Sequence, residues 1–158
     1  MTKTILVLLI TPVILVVLAF AAVFGTIAYN SHMRVRDATP AFEPLARLGC
    51  EFLSQPYGGR HCYYIATFGP NCSLSDSNVA ELLSLNKLPS RNELDVEIKT
   101  TAVTDASVVE LKRITTMDAL DVTQSSITDD GIEDLRMALP GCMVVTREMM
   151  RKMSGEQK

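Results

Sequence analysis

Few side chains in this chain could do covalent or metal chemistry. There are two histidines, His32 and His61, and four cysteines, Cys50, Cys62, Cys72 and Cys142. A thiol beside an imidazole can act as a nucleophile pair, and His61-Cys62 is where the chain sets the two side by side. Adjacent residues on a strand point to opposite faces, however, so these side chains would not meet. His61 with Cys50, Cys62 and Cys72 could in principle hold zinc, but no C-x-x-C occurs and the spacings fit no standard finger. Neither a metal nor a cofactor is expected. In an oxidising compartment a disulfide could form among Cys50, Cys62 and Cys72. In a reducing one they are small apolar residues, and Cys142 is expected as a packed core thiol. There is no glycine-rich phosphate loop, no serine nucleophile elbow and no HExxH.

The remaining candidates are carboxylates that recur. Leu74-Ser75-Asp76, Val103-Thr104-Asp105 and Ile127-Thr128-Asp129 open one pattern, which continues with Val79, Val108 and Ile132 and then with Leu82, Leu111 and Leu135. The copies start 29 and 24 residues apart, a period that means stacked units without separate cores. Asp76, Asp105 and Asp129 could be read as a row of catalytic carboxylates. Helix capping, repeated once per unit, is the simpler reading, because an acid or hydroxyl is what the free N–H groups of a first helical turn need.

Each unit is expected to contain a short strand, a tight loop and a short helix. Cys62 to Phe68 is rich in strand formers, and Leu94 to Ile98, Ala119 to Thr123 and Met143 to Val145 supply further strands. Helices are expected from Ser75-Asp76 to Leu85, from Asp105 to Ile114 and from Asp129 to Leu139, each with an apolar face at helical spacing. Phe42 to Gly49 reads as a short helix ending at glycine, followed by a short strand from Cys50 to Leu53. Strands joined by helical crossovers must run parallel, which puts a sheet on one side and helices on the other. Alternation then turns Val96, Ile98, Leu120 and Val122 inward. It turns Asp95, Glu97, Lys99, Asp121 and Thr123 outward, with Tyr63, Ile65 and Thr67 continuing that face on the first strand and Val144 and Thr146 on the last. The face is acidic at its centre and aromatic at one edge.

The amino-terminal residues 4–29, TILVLLITPVILVVLAFAAVFGTIAY, hold no charge. As a helix they would be about 39 Å long, enough to cross a hydrocarbon core of ~30 Å. A transmembrane anchor over 1–30 is expected; a cleaved signal peptide, with Ala19-Phe20-Ala21 as its cleavage site, is the alternative. From residue 30 on, 14 Lys+Arg face 18 Asp+Glu, a net of −4 that argues against nucleic-acid binding. The implied organisation is an anchor, a linker over 31–41, an amino-terminal cap over 42–73, repeats over 74–146 and a carboxyl-terminal tail over 147–158. The protein would be single-pass in a membrane, with the side of its soluble part left open.

The stretch VTDASVVELKRITTMDALDVTQSSITDDGIEDLRMALPGCMVV resembles the short bacterial kind of leucine-rich repeat, and ALPGCMVV resembles its closing unit. The amino-terminal segment followed by LARLGCEF is similar to small membrane-anchored members. The resemblance implies an α/β leucine-rich-repeat solenoid preceded by a single transmembrane helix. It also implies a non-catalytic module that binds another protein on its strand face, and it is nearly silent about activity. The expected partner-binding residues are then Tyr63, Ile65, Thr67, Asp95, Glu97, Lys99, Asp121 and Thr123. The expected partners are a protein and, through residues 4–29, the lipid bilayer. Two alternatives stay open: a structural subunit of a membrane assembly held through its transmembrane helix, and a thiol- or metal-dependent enzyme.

Overall fold

In the computed structural model of the protein, the residues described are Val23, 38–56 and 61–155. The first element, helix α1 over 38–46, turns Ala38, Ala41 and Leu45 into the core at helical spacing. It ends through Gly49, whose φ of +78° is the left-handed conformation that glycine reaches without strain. The Gly49 N–H donates to the Ala46 carbonyl at 3.1 Å, and the turn feeds strand β1 (Cys50–Pro56). The helix begins inside the stretch expected as linker.

Strand β2 (Cys62–Phe68) pairs with β1 as an antiparallel hairpin. Strands β3 (Glu93–Ile98), β4 (Ala119–Asp121) and β5 (Met143–Val145) then add in parallel, giving one five-stranded sheet in the order β1-β2-β3-β4-β5. Alternation works as expected in β2 and β3: Cys62, Tyr64, Ala66, Phe68, Leu94, Val96 and Ile98 are buried, and the residues between them are not. Phe42 of α1 stacks on the same side, its ring centre 4.3 Å from that of Phe52 and 5.1 Å from that of Tyr64.

The crossovers differ from one another. The first holds a nine-residue 3-10 helix, Val79–Lys87. The second is a three-residue 3-10 turn, Asp105–Ser107, running into the single helical turn α2 (Val108–Leu111). The third is a ten-residue α-helix, α3 (Asp129–Ala138). A last helix, α4 (Arg147–Met153), follows β5. Val79, Leu82, Leu85, Val108, Leu111, Ile114, Leu135 and Leu139 of these segments pack with Phe68, Val96, Ile98, Leu120 and Val144 of the sheet into one core.

The architecture is therefore mixed α/β around a five-stranded sheet, and the expected leucine-rich-repeat solenoid is not what it shows. An antiparallel hairpin starts the sheet, and the three crossovers are a long 3-10 helix, a 3-10 turn with one α turn, and a full α-helix. The single-pass membrane placement is corrected as well: among the described residues no helix is long and apolar enough to cross a membrane. The expected span over 4–29 lies, except for Val23, outside the described residues.

The recurring Asp also has a different role from the one expected. The helix caps are threonines: Thr104 Oγ1 accepts from the Ala106 N–H, Thr128 Oγ1 from the Gly131 N–H and Thr146 Oγ1 from the Met149 N–H. Asp76 and Asp105 reach forward to the next repeat. The Asp76 carboxylate accepts the Thr104 N–H at 2.8 Å, the Thr104 hydroxyl at 2.7 Å, and the hydroxyl of fully buried Ser107. Asp105 accepts the Thr128 N–H and hydroxyl, both at 2.8 Å. Thr104 and Thr128 thus each cap their own helix while their amide and hydroxyl hold the carboxylate of the repeat before them. Burial alone would raise the Asp76 pKa, but the hydrogen bonds from Ser107 and Thr104 outweigh it and hold the carboxyl below its ordinary range.

Candidate interaction face

The outer face of the sheet is set by the strand register. One row crosses all five strands as Leu53, Ile65, Asp95, Ala119 and Met143. The next, one pleat along, is Glu51, Thr67, Glu97, Asp121 and Val145. On the other side lies the shorter row Gln55, Tyr63 and Glu93. The structure thus brings Tyr63, Ile65, Thr67, Asp95, Glu97 and Asp121 onto one surface, each half-buried, as alternation requires. Lys99 and Thr123, also half-buried, lie just past the ends of β3 and β4. The expected strand Ala119 to Thr123 stops at Asp121, whose carboxylate accepts the Thr123 N–H at 2.8 Å in a local turn.

Several of these side chains are engaged with each other across strands. The Tyr63 hydroxyl donates to Asp95, and the Thr67 hydroxyl to Glu97 at 2.9 Å. The Lys99 ammonium meets the same Glu97 oxygen at 2.7 Å. The hydrogen bond to Asp95 is the main reason the Tyr63 phenol is pushed up to about 12, with burial and the neighbouring carboxylates adding to it. Burial would raise Glu97, but Lys99 and Thr67 outweigh it and keep its carboxyl low; Lys99 is held above the ordinary lysine value, first by its hydrogen bond to Glu97. Both partners of this ion pair keep about a third of their side-chain surface in water (32% and 29%), so it contributes little to stability.

The last strand was expected one residue out of register. Val144 pairs with Leu120 and is buried, and Thr146 is buried too, so Met143 and Val145 take the outward positions assigned to Val144 and Thr146. A one-residue shift exchanges the faces of a whole strand. The antiparallel pairing of β1 adds Glu51 and Leu53 to the surface, a contribution sequence reasoning missed. Leu53 and Met143 stand out because they are large apolar side chains left 52% and 55% exposed.

The four thiols are free in the structure, the second of the two states open to Cys50, Cys62 and Cys72. Cys50 and Cys62 lie at opposite ends of the β1–β2 hairpin, paired with Phe68 and Pro56. At ~3.3 Å per residue that separates them by roughly 20 Å, far beyond disulfide reach. Cys72 lies at the Gly49 end of the hairpin, where a Cβ on Gly49 would come within 3.4 Å of its Cα. Burial, then the Cys72 thiol and Glu51, push the Cys50 thiol far up. Cys142 borders a surface depression of about 470 Å³ that Asn92, Thr115, Asp118 and Leu139 also line; burial and then Asp118 and Asp95 push its thiol to about 11. A thiol that keeps its proton at neutral pH is a poor nucleophile. His61 is exposed and bonded to the Arg91 carbonyl at 2.8 Å, whereas Cys62 faces the core. No group of three or more His, Cys, Asp or Glu side chains among the described residues is placed to hold a metal ion.

No protein family, no curated protein and no solved structure matches the chain.

Proposed function

We propose that this protein is a non-catalytic binding module that engages another protein on the outer face of its sheet. The observation that carries the reading is the surface itself. Five strands present one continuous face on which Leu53 and Met143, on the two edge strands, stay more than half exposed, with half-buried Tyr63, Ile65 and Thr67 and a row of carboxylates across the strands. Large apolar groups kept in water within an ordered polar frame are what a partner desolvates on binding. At ~4.8 Å between strands the face is roughly 19 Å wide, and its three rows span about 13 Å along the strands. That is smaller than the ~800 Å² per partner of a standard stable interface, so the binding is of the weak, transient class.

Photocrosslinking tests this reading. A photoreactive amino acid replaces Ile65 on the face, or Met137 and Val109 on the helical side, both of which are well exposed. Position 65 should give a discrete adduct in producing cells, and that adduct should disappear when Leu53→Asp is added. An adduct from positions 137 and 109 with none from 65 would place the interface on the helices and defeat the proposal.

A further inference from the structure

We infer that the occupant of the outer face is a cationic amphipathic helix lying across the strands; this rests on the binding reading above and gives it a partner chemistry. The central row is apolar at Leu53, Ile65, Ala119 and Met143, interrupted only at Asp95, which already holds the Tyr63 hydroxyl. Acids flank that row on both sides. Glu51, Glu97 and Asp121 lie along one edge and Glu93 along the other. With Asp95, the three rows hold five carboxylates and, among the described residues, no cation; Lys99, just past the end of β3, is committed to Glu97, and Arg147, just past β5, to the Thr123 and Ser125 carbonyls. The charge complement is a segment with Lys or Arg on both sides of an apolar stripe.

The spacing selects a helix over an extended peptide. Neighbouring positions along the apolar row are one strand apart, ~4.8 Å. Side chains at i, i+3, i+4 and i+7 of a helix recur about every 5–6 Å on one face, close to that step. An extended segment repeats its same-face side chains only every ~6.7 Å, and its backbone N–H and C=O groups would lie over side chains without partners. A helix satisfies its own backbone. Crossing five strands, about 19 Å, takes about 13 residues at 1.5 Å each. A helix ~10 Å in diameter also lets its flanks reach the acidic rows on either side.

The test uses the full-length chain and a fluorescent synthetic peptide of about 16 residues, with leucines at i, i+3 or i+4 and i+7 flanked by lysines. Two controls replace the lysines with glutamates or put proline at the centre. Anisotropy should show the lysine peptide binding at least tenfold more tightly than either control. The binding should weaken at least tenfold with Met143→Asp or Leu53→Asp and stay unchanged with Val109→Asp. Salt should weaken it too. Hydrogen exchange on the unmodified chain gives a readout that depends on no variant: added peptide should protect β1 to β5 and leave α3 unaffected. Equal binding of lysine and glutamate peptides, insensitivity to Met143→Asp and Leu53→Asp together, or protection on the helical side would each overturn the inference. If the position-65 adduct maps to an acidic or extended partner segment, this inference fails while the binding-face reading stands. If no adduct forms at position 65, both fall.

Discussion

Two sets of carboxylates step across this protein one strand or one repeat at a time, and their surroundings are opposite. Asp76 and Asp105 stand where one repeat meets the next. There a backbone N–H and a hydroxyl from the following Thr close on each, and buried Ser107 adds a third donor to Asp76. Asp95, Glu97 and Asp121 stand on the sheet face. Their partners there are nearby groups: the Tyr63 hydroxyl for Asp95, the Thr67 and Lys99 side chains for Glu97, and a local backbone amide for Asp121. A carboxylate that accepts backbone amides from a distant segment is part of the frame. One held by neighbouring side chains and half open to water can exchange those partners for another molecule's. Periodicity alone does not distinguish the two, because both sets recur; the origin of the donors does.

The sharpest way to break this contrast is to remove one acid from each set. Asp76→Ala should cost about 2–4 kcal/mol in urea unfolding, since hydrogen bonds to a charged acceptor are lost and the Ser107 hydroxyl is left buried without its acceptor. Asp95→Ala should cost under about 1 kcal/mol. Equal losses would mean that the face is as structural as the repeat junction.

Gly131 probes the same junction sterically. A Cβ there would run into the Asp105 carboxylate and come within 2.8 Å of Ile127 Cγ2. Gly131→Ala should therefore destabilise by about 1–3 kcal/mol. The penalty should shrink in an Asp105→Ala background, because the clash with the carboxylate is gone; an additive double mutant would show that the two do not interact.

A smaller effect follows from pH. Asp76 has a folded-state pKa below its unfolded one, so its contribution is fully present above about pH 4 and is lost as pH falls through the folded value. Stability measured from pH 5 down to pH 2 should fall less steeply in Asp76→Asn than in the unmodified chain. Parallel curves would remove Asp76 from the acid sensitivity. The smallest effect is expected at Glu97→Gln, within about 0.5 kcal/mol, because the Lys99 pair it breaks is solvated.

Much of the frame could be read from residue pattern. Cys62–Phe68 and Met143–Val145 are strands with the expected bounds, and Val96, Ile98, Leu120 and Val122 are buried as alternation requires. What could not be read depends on partners far along the chain. Thr and Asp are both good caps, and which of them caps at Thr104-Asp105 is settled by Asp76, 28 residues earlier, taking the Thr104 amide. The facing of β5 was misread because Met143-Val144-Val145 is apolar throughout and offers no alternation to follow. Leu53 joined the face only through the hairpin register of β1, a pairing that no local pattern specifies. The expected solenoid overextended a real repeat, since the apolar periods recur but the crossovers between strands differ in type and length.

The central claim is that the junction acids hold the fold and the face acids serve a partner. It is tested most directly by the triple variant Asp95→Asn, Glu97→Gln and Asp121→Asn, assayed in parallel for its unfolding midpoint and for the yield of the position-65 crosslink. The account predicts a stability within about 1 kcal/mol of the unmodified chain and a crosslink yield reduced at least tenfold. An undiminished crosslink would contradict it.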